Sequence, residues 1–170
     1  MTDSDPQILE LARRLGAALQ GRGWSMGTAE SCTGGLVAAA MTAVAGSSAW
    51  FDRGFVTYTN EAKAEQLGVA PQTLDEYGAV SEIVARQMAA GVLAAAPRAQ
   101  VAVSTTGIAG PGGATPGKPV GMVCFGFALR TGDGLVVKAG TRRFDGGRAE
   151  VRRATVIHAL SELLALIEPR

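Results

Sequence analysis

The stretch TAESCTGG, residues 28–35, places three consecutive side chains able to act as nucleophiles, Ser31, Cys32 and Thr33, directly before two glycines. Glycines let a ligand approach the main chain closely, and the free N–H groups at the start of a helix favour an anion. In such a turn Ser31 can attack a carbonyl carbon while the amides of Cys32, Thr33 and Gly34 hold the oxyanion. The motif alone favours a simpler interpretation, in which Ser31 or Thr33 caps a helix.

A serine nucleophile needs a general base, and the composition restricts the choice. The chain has one histidine, His158, within an apolar helical pattern, which disfavours a Ser-His-Asp triad. Lys63 lies just after a predicted strand in the sequence YTNEAK, and Tyr58 precedes it by five residues. A lysine acts as a base when desolvation or a nearby positive charge lowers its pKa from about 10.4, and a tyrosine can orient it or relay a proton. Taken singly, Lys63 fits an exposed helix position and Tyr58 a half-buried strand position.

A glycine-rich loop, residues 108–121, follows another predicted strand. Loops of this length in compact domains tend to be functional, although this one matches neither GxGxxG nor a Walker sequence. It can cradle a phosphate or close over a substrate, with Thr105, Thr106 and Gly107 facing the site and Lys118 supplying charge. A plain solvated loop is an equally good interpretation.

Five arginines are concentrated in residues 141–153, TRRFDGGRAEVRR, just before and within the last predicted helix. Arg148 near the start of that helix can hold a phosphate, because a guanidinium matches phosphate geometry. The alternative is surface pairing of this arginine with Asp145 and Glu150.

Hydrophobic periodicity predicts the elements that must position these side chains. Predicted helices span residues 6–20, 34–46, 61–68, 81–96 and 147–167, and predicted strands span residues 24–30, 54–60, 99–107, 122–130 and 135–144. A turn is predicted at residues 75–78.

Strands that first alternate with helices and then form a hairpin indicate an α/β fold. We expect one domain over residues 1–170, with a mixed β-sheet covered by helices on both faces in three layers. It should end in a β-hairpin and a C-terminal helix. Ligands in such folds gather at the carboxyl ends of parallel strands. If the first two strands lie side by side, Tyr58 and Lys63 can therefore approach Ser31.

The charge balance argues against a polyanionic partner. The 170 residues carry 16 basic and 15 acidic side chains, so no global field would hold a nucleic acid or an anionic membrane. No apolar run reaches the roughly 18 residues of a membrane span, and the start lacks the pattern of a signal peptide. We expect a cytoplasmic protein with a small-molecule partner.

The two cysteines and single histidine also limit the chemistry. Cys32 and Cys124 are far apart and match neither a disulfide framework nor a metal-ligand spacing, so both are expected to be free thiols. With one histidine the chain barely has the ligands for a zinc site. We expect neither a metal nor a cofactor, and the alanine-rich helices favour a homo-oligomer.

Several long motifs in order resemble the C-terminal domain family of the competence/damage-inducible protein CinA, in particular its stand-alone members, the nicotinamide mononucleotide amidohydrolases. The resemblance covers about residues 7 to 165. It rests on TAESCTGG, on AGSSAWFDRGFVTYTNEAK at residues 45–63, on GAVSE at residues 78–82, and on TGIAGPGG with KPVG at residues 106–113 and 118–121.

The resemblance implies hydrolysis of the carboxamide of nicotinamide mononucleotide to the acid and ammonia, a step of pyridine nucleotide recycling. The family's proposed serine and lysine, with a supporting tyrosine, fall on Ser31, Lys63 and Tyr58. Two competing hypotheses stay open from the residues. One makes Cys32 the nucleophile, assisted by Glu30 and Lys63, and the other is a nucleotide-binding module without turnover.

Overall fold

The computed structural model describes residues 5–168, so the first four and last two residues of the predicted domain lie outside it. The described residues form helices and strands in the following order. They are α1 (Pro6–Gly21), β1 (Met26–Glu30), α2 (Leu36–Thr42), β2 (Phe51–Val56), α3 (Asn60–Leu67), α4 (Pro71–Tyr77), α5 (Glu82–Ala95), β3 (Val101–Gly107), β4 (Met122–Thr131), β5 (Gly134–Arg143) and α6 (Arg148–Ile167).

The strands form one mixed sheet in the order β2-β1-β3-β4-β5. Strand β1 is parallel to both β2 and β3, whereas β4 is antiparallel to β3 and β5 to β4. Glu30 at the end of β1 pairs with Val56 at the end of β2 and with Thr105 near the end of β3. The carboxyl ends of the three parallel strands therefore meet at one edge of the sheet.

The sheet separates two hydrophobic cores, which gives the predicted three layers. Helices α1, α2 and α6 contact one another on one face, and α3, α4 and α5 pack together on the other. Residues of β3 alternate between them, since Val101 and Val103 belong to the first core and Ala102 to the second. The α/β fold class with its terminal hairpin and helix is thus confirmed.

Two predicted boundaries and one predicted turn differ from the structure. Strand β2 ends at Val56, so Tyr58 lies beyond the strand instead of within it. Helix α2 ends at Thr42, four residues before the predicted end. Residues 75–78 are not a separate turn but lie at the end of α4, a seven-residue helix with Pro71 in its first turn and Gly78 just past its end. So short a helix carries too little periodicity to stand out in the sequence.

None of the helices within residues 5–168 is long and apolar enough to cross a membrane.

Candidate active site

The turn that carries Ser31 connects β1 to α2 at the edge where the parallel strands end. The Ser31 N–H donates to the Thr105 carbonyl at 2.9 Å, which extends the pairing with β3 by one residue. Gly34 and Gly35 have φ values of +58° and +98°, in the left-handed region that glycine adopts without steric cost. The turn therefore needs its two glycines, and it leaves the Ser31 side chain 9% exposed.

Glu30 occupies the start of α2. The sequence predicted that the backbone N–H groups there would be free to bind a ligand. Its buried carboxylate accepts hydrogen bonds from the backbone N–H groups of Gly35 and Val37 at 3.0 Å each, and from Ala38 at 2.8 Å. A carboxylate is stabilised there by both the unpaired amides and the helix dipole. The expected anion site at this helix is thus filled by the protein itself.

Lys63 extends from α3 to Ser31 and is buried, with only 1% of its surface exposed. Its Nζ lies 3.1 Å from the Ser31 Oγ, 2.8 Å from the Thr57 carbonyl oxygen and 3.2 Å from that of Tyr58. The structure thus brings the predicted serine and lysine together, as the order of the strands suggested. The alternative of an exposed, ion-paired Lys63 is wrong.

Burial lowers the pKa of Lys63 from its usual 10.5 to about 8. As an ammonium, the group has three N–H donors for the three nearest oxygens. As a neutral amine it has two N–H donors, which the carbonyls of Thr57 and Tyr58 can accept, and one lone pair. That lone pair can then accept the hydroxyl proton of Ser31, so the neutral form is arranged as a general base.

Tyr58 contacts Lys63 only through its backbone carbonyl. Its side chain is 56% exposed, and its phenol oxygen accepts a hydrogen bond from the Arg148 Nη2 at 3.1 Å. The phenol of Tyr58 was expected to orient Lys63, but in the structure it is hydrogen-bonded to Arg148 instead. The physical reason is that Tyr58 lies past the end of β2 with its ring directed outward.

Arg148 connects this tyrosine to the glycine-rich loop, because its Nη1 also donates to the Gly110 carbonyl at 2.9 Å. It makes no ion pair within residues 5–168, so the predicted alternative of pairing with Asp145 or Glu150 is not what the structure shows. One helical turn later the Arg152 Nη2 donates to the Thr33 carbonyl at 3.0 Å. Arg152 was not among the predicted binding residues, although it belongs to the same arginine cluster.

Cys32 is buried next to Ser31, and burial raises the pKa of its thiol to about 12. A thiol that stays protonated is a poor nucleophile. Both Cys32 and Cys124 are free cysteines, as predicted.

The remaining predicted binding residues separate into two groups. The hydroxyl groups of Thr33 and Thr105 lie 2.7 Å apart and are hydrogen-bonded to each other, which links the turn to β3.

The second group bonds elsewhere. The Thr106 hydroxyl donates to the Ala79 carbonyl at 2.8 Å, and Lys118 donates to the Tyr77 carbonyl at the end of α4. Gly107 packs against β4, where a Cβ would lie 2.7 Å from the Met122 carbonyl oxygen. This second group holds the backbone around the site together, and its side chains make no hydrogen bond to Ser31 among the described residues.

Within residues 5–168, no group of three or more His, Cys, Asp or Glu side chains could hold a metal ion.

Comparison with known proteins matches residues 8–167 to the family described as the CinA C-terminal domain. A protein of Enterobacter agglomerans named nicotinamide-nucleotide amidohydrolase PncC is 54% identical over 161 residues, covering 95% of this chain and 96% of the relative. A Pseudomonas putida protein of the same name is 50% identical over 162 residues, covering 95% of this chain and 98% of the relative. The crystal structure of the competence/damage inducible protein CihA from Agrobacterium tumefaciens is similar, with a TM-score of 0.88 and 50% identity, covering 96% of this chain and 98% of that one.

Proposed function

This chain belongs to the CinA C-terminal domain family, and on that premise we propose that it hydrolyses nicotinamide mononucleotide to nicotinate mononucleotide and ammonia. The names of relatives that match over nearly their whole length support this substrate. The observation that carries the chemistry is the 3.1 Å contact between the Lys63 Nζ and the Ser31 Oγ, in a buried site where the amine titrates near neutrality.

In the first step, the Ser31 Oγ attacks the carboxamide carbon and its proton passes to the neutral amine of Lys63. A tetrahedral intermediate with a negatively charged oxygen results. The carbonyls of Thr57 and Tyr58 already accept two N–H groups of the lysine, and they stabilise the ammonium formed by this transfer.

The oxyanion needs N–H donors that the protein has not already used. The Gly34 N–H donates to the Ser31 carbonyl at 3.1 Å, and the Gly35 N–H is bonded to Glu30. The N–H groups of Cys32 and Thr33 have no acceptor oxygen in the part of the chain that the structure describes. We assign these two amides to the oxyanion. Of the three predicted donors, the amides of Cys32, Thr33 and Gly34, the Gly34 amide is therefore left out.

Collapse of the intermediate breaks the C–N bond, and the Lys63 ammonium donates its proton to the leaving nitrogen, which departs as ammonia. Water then attacks the acyl ester on Ser31 and gives a proton to the same amine. The proton returns to the Ser31 Oγ as the ester breaks, which releases the carboxylic acid and restores the starting state; the acid then loses its proton to solvent. One water is consumed and one amide bond is hydrolysed, a reaction suited to pyridine nucleotide recycling.

Tyr58 and Arg148 bind the substrate in this proposal, whereas Lys63 transfers protons. The exposed phenol of Tyr58 and the Arg148 guanidinium lie together beside the glycine-rich loop, so we assign them to contacts with the substrate. Thr33 and Thr105 support the floor of the site through their hydroxyl contact.

Ammonia release tests this proposal when it is measured across nicotinamide, its riboside, its mononucleotide and the dinucleotide. We expect the mononucleotide to be the best substrate, and Ser31→Ala to abolish the release while the circular dichroism spectrum stays unchanged. Ser48→Ala, at an exposed serine, is the matched control and should keep full activity. Full activity in Ser31→Ala would contradict the assignment, and tight binding of the mononucleotide by the native protein without any ammonia would favour a binding module.

A further inference from the structure

Two arginines of α6 lie against the backbone that surrounds Ser31. Arg148 and Arg152 are separated by four residues, so their side chains share one face of the helix. Arg148 donates to the carbonyl of Gly110 in the glycine-rich loop and to the phenol of Tyr58, while Arg152 donates to the carbonyl of Thr33 in the nucleophile turn. The helix thus presents two guanidinium groups to the two segments that border the site.

Neither positive charge is neutralised by a carboxylate. The ion pairs found within residues 5–168 are Arg53 with Asp52 and Arg153 with Asp5. The contrast within α6 is informative, because Arg153 directly follows Arg152 and is paired with an acid. Carbonyl and phenol oxygens orient Arg148 and Arg152 but leave their net charge available to an anion.

Arg152 also has donors without acceptors. Its Nε is buried and has no hydrogen-bond partner, one of two such side-chain atoms in the described part of the chain. Buried donors without partners are rare in folded proteins, and this one is explained if a ligand or a water at the site completes its hydrogen bonding. The turn lies directly against this guanidinium, since a Cβ at Gly34 would be in ordinary van der Waals contact with the Arg152 Nη2, at 3.6 Å.

Other candidate anion sites near Ser31 are already occupied by protein groups. The start of α2 holds the Glu30 carboxylate, and the ammonium of Lys118 is bonded to the Tyr77 carbonyl. Lys63 is buried and directed at Ser31 and two carbonyls. Arg148 and Arg152 are therefore the cations at this edge whose charge is still free to bind a ligand.

We propose that Arg148 and Arg152 together form the subsite for a phosphate monoester, and that this pair selects the mononucleotide over its unphosphorylated riboside. The inference rests on the proposed function and adds Arg152 as a residue that determines specificity. A phosphate monoester carries nearly two negative charges at pH 7, and two guanidinium groups match both its charge and its several acceptor oxygens. The carboxamide would then lie at Ser31 and the phosphate at the N-terminal turns of α6.

Kinetics with and without the phosphate test the pair directly. Arg148→Met and Arg152→Met should each lower kcat/KM for the mononucleotide about 10- to 100-fold, the loss expected for a charge-assisted hydrogen bond. The ratio of kcat/KM for the mononucleotide to kcat/KM for the riboside should fall about 10-fold or more, since only the mononucleotide has a phosphate contact to lose. Arg153→Met, the adjacent arginine paired with Asp5, is the control and should leave both values unchanged. An equal loss for both substrates in Arg152→Met would show that this arginine only supports the turn, and would overturn the proposal.

A binding experiment separates this inference from the proposed function. In the Ser31→Ala background, titration calorimetry with ribose 5-phosphate should show binding that Arg152→Met weakens about 10-fold or more, whereas ribose itself should bind poorly to both. Equal affinity for ribose 5-phosphate with and without Arg152 would refute the subsite even if the native protein deamidates the mononucleotide. Loss of affinity in Arg152→Met would support it even if the native protein released no ammonia.

Discussion

Two regions of the molecule each hold a basic side chain whose pKa is lowered by burial, and they differ in what surrounds it. Around Lys63, the neighbours are polar, since its Nζ meets the hydroxyl of Ser31 and two carbonyl oxygens. His158 is surrounded by aromatic rings, with its ring centroid 4.6 Å from that of Phe125 and 6.1 Å from that of Phe144.

An open groove lies beside His158. A groove of about 390 Å³ runs between α6 and β5, and its lining includes His158, Lys138, Arg142 and Glu162. The imidazole nevertheless makes no side-chain hydrogen bond within residues 5–168, and aromatic rings pack against it. A pKa lowered by burial therefore does not identify a catalytic base. The decisive feature is a hydrogen-bond partner that can lose a proton.

Replacing the two bases should give the largest difference between the regions. Lys63→Met removes the proposed base and should lower kcat about 10⁴-fold or more, as loss of one member of a catalytic unit does. His158→Gln should change kcat less than about threefold, because the imidazole makes no side-chain hydrogen bond within residues 5–168 and lies outside the Ser31 site. Lys138→Met, at an exposed lysine, is the matched control for Lys63→Met. A large loss of activity in His158→Gln with an intact fold would reverse the comparison.

The pH dependence of kcat/KM should identify which base titrates. Lys63 must be neutral to accept the Ser31 proton, and burial lowers its pKa to about 8. Activity should therefore rise about tenfold per pH unit up to pH 8 and then level off, since each unit below the pKa reduces the neutral fraction tenfold. The His158→Gln variant should show the same profile. A rising limb that disappears in that variant would instead make the imidazole the base.

Protein stability should report the buried amine independently of catalysis. The folded state binds the Lys63 proton less tightly than the unfolded state, so stability should rise with pH between about 8 and 10.5. From about 1.36 kcal/mol per pKa unit, the rise is at most about 3 kcal/mol. Urea unfolding of the native protein and of Lys63→Met across this range measures it, and the variant should lack this contribution. Parallel curves for the two proteins would contradict the buried, desolvated state of the amine.

Replacing Cys32, the residue next to Ser31, should have the smallest effect on kcat. Burial raises the pKa of Cys32 to about 12, so Cys32→Ala should lower kcat less than about tenfold, and only through loss of packing. Cys124→Ala, which changes the other buried thiol, is the matched control. Complete loss of ammonia release in Cys32→Ala, together with activity in Ser31→Ala, would make the cysteine the nucleophile.

The sequence predicted most of the fold because hydrophobic periodicity and turn residues are local properties. The hairpin of β4 and β5 and the long helices α1, α5 and α6 lie within a few residues of their predicted ranges. Helix α4 was missed because seven residues make barely two turns. The approach of Ser31 and Lys63 could be predicted because each follows one of two parallel strands, and the carboxyl ends of neighbouring parallel strands meet. The structure brings the two side chains together.

What the sequence by itself determined was the family, the alternation of strands and helices, and the residue types able to do the chemistry. The tertiary structure decided which polar atoms meet. It placed the Glu30 carboxylate on the start of α2, directed the Tyr58 phenol to Arg148, and set Arg152 against Thr33, which is 119 residues away in the chain. Hydrophobic periodicity predicts which face of a helix or strand is buried. Hydrogen bonds between distant segments depend on how those helices and strands pack, and can therefore be identified only from the tertiary structure.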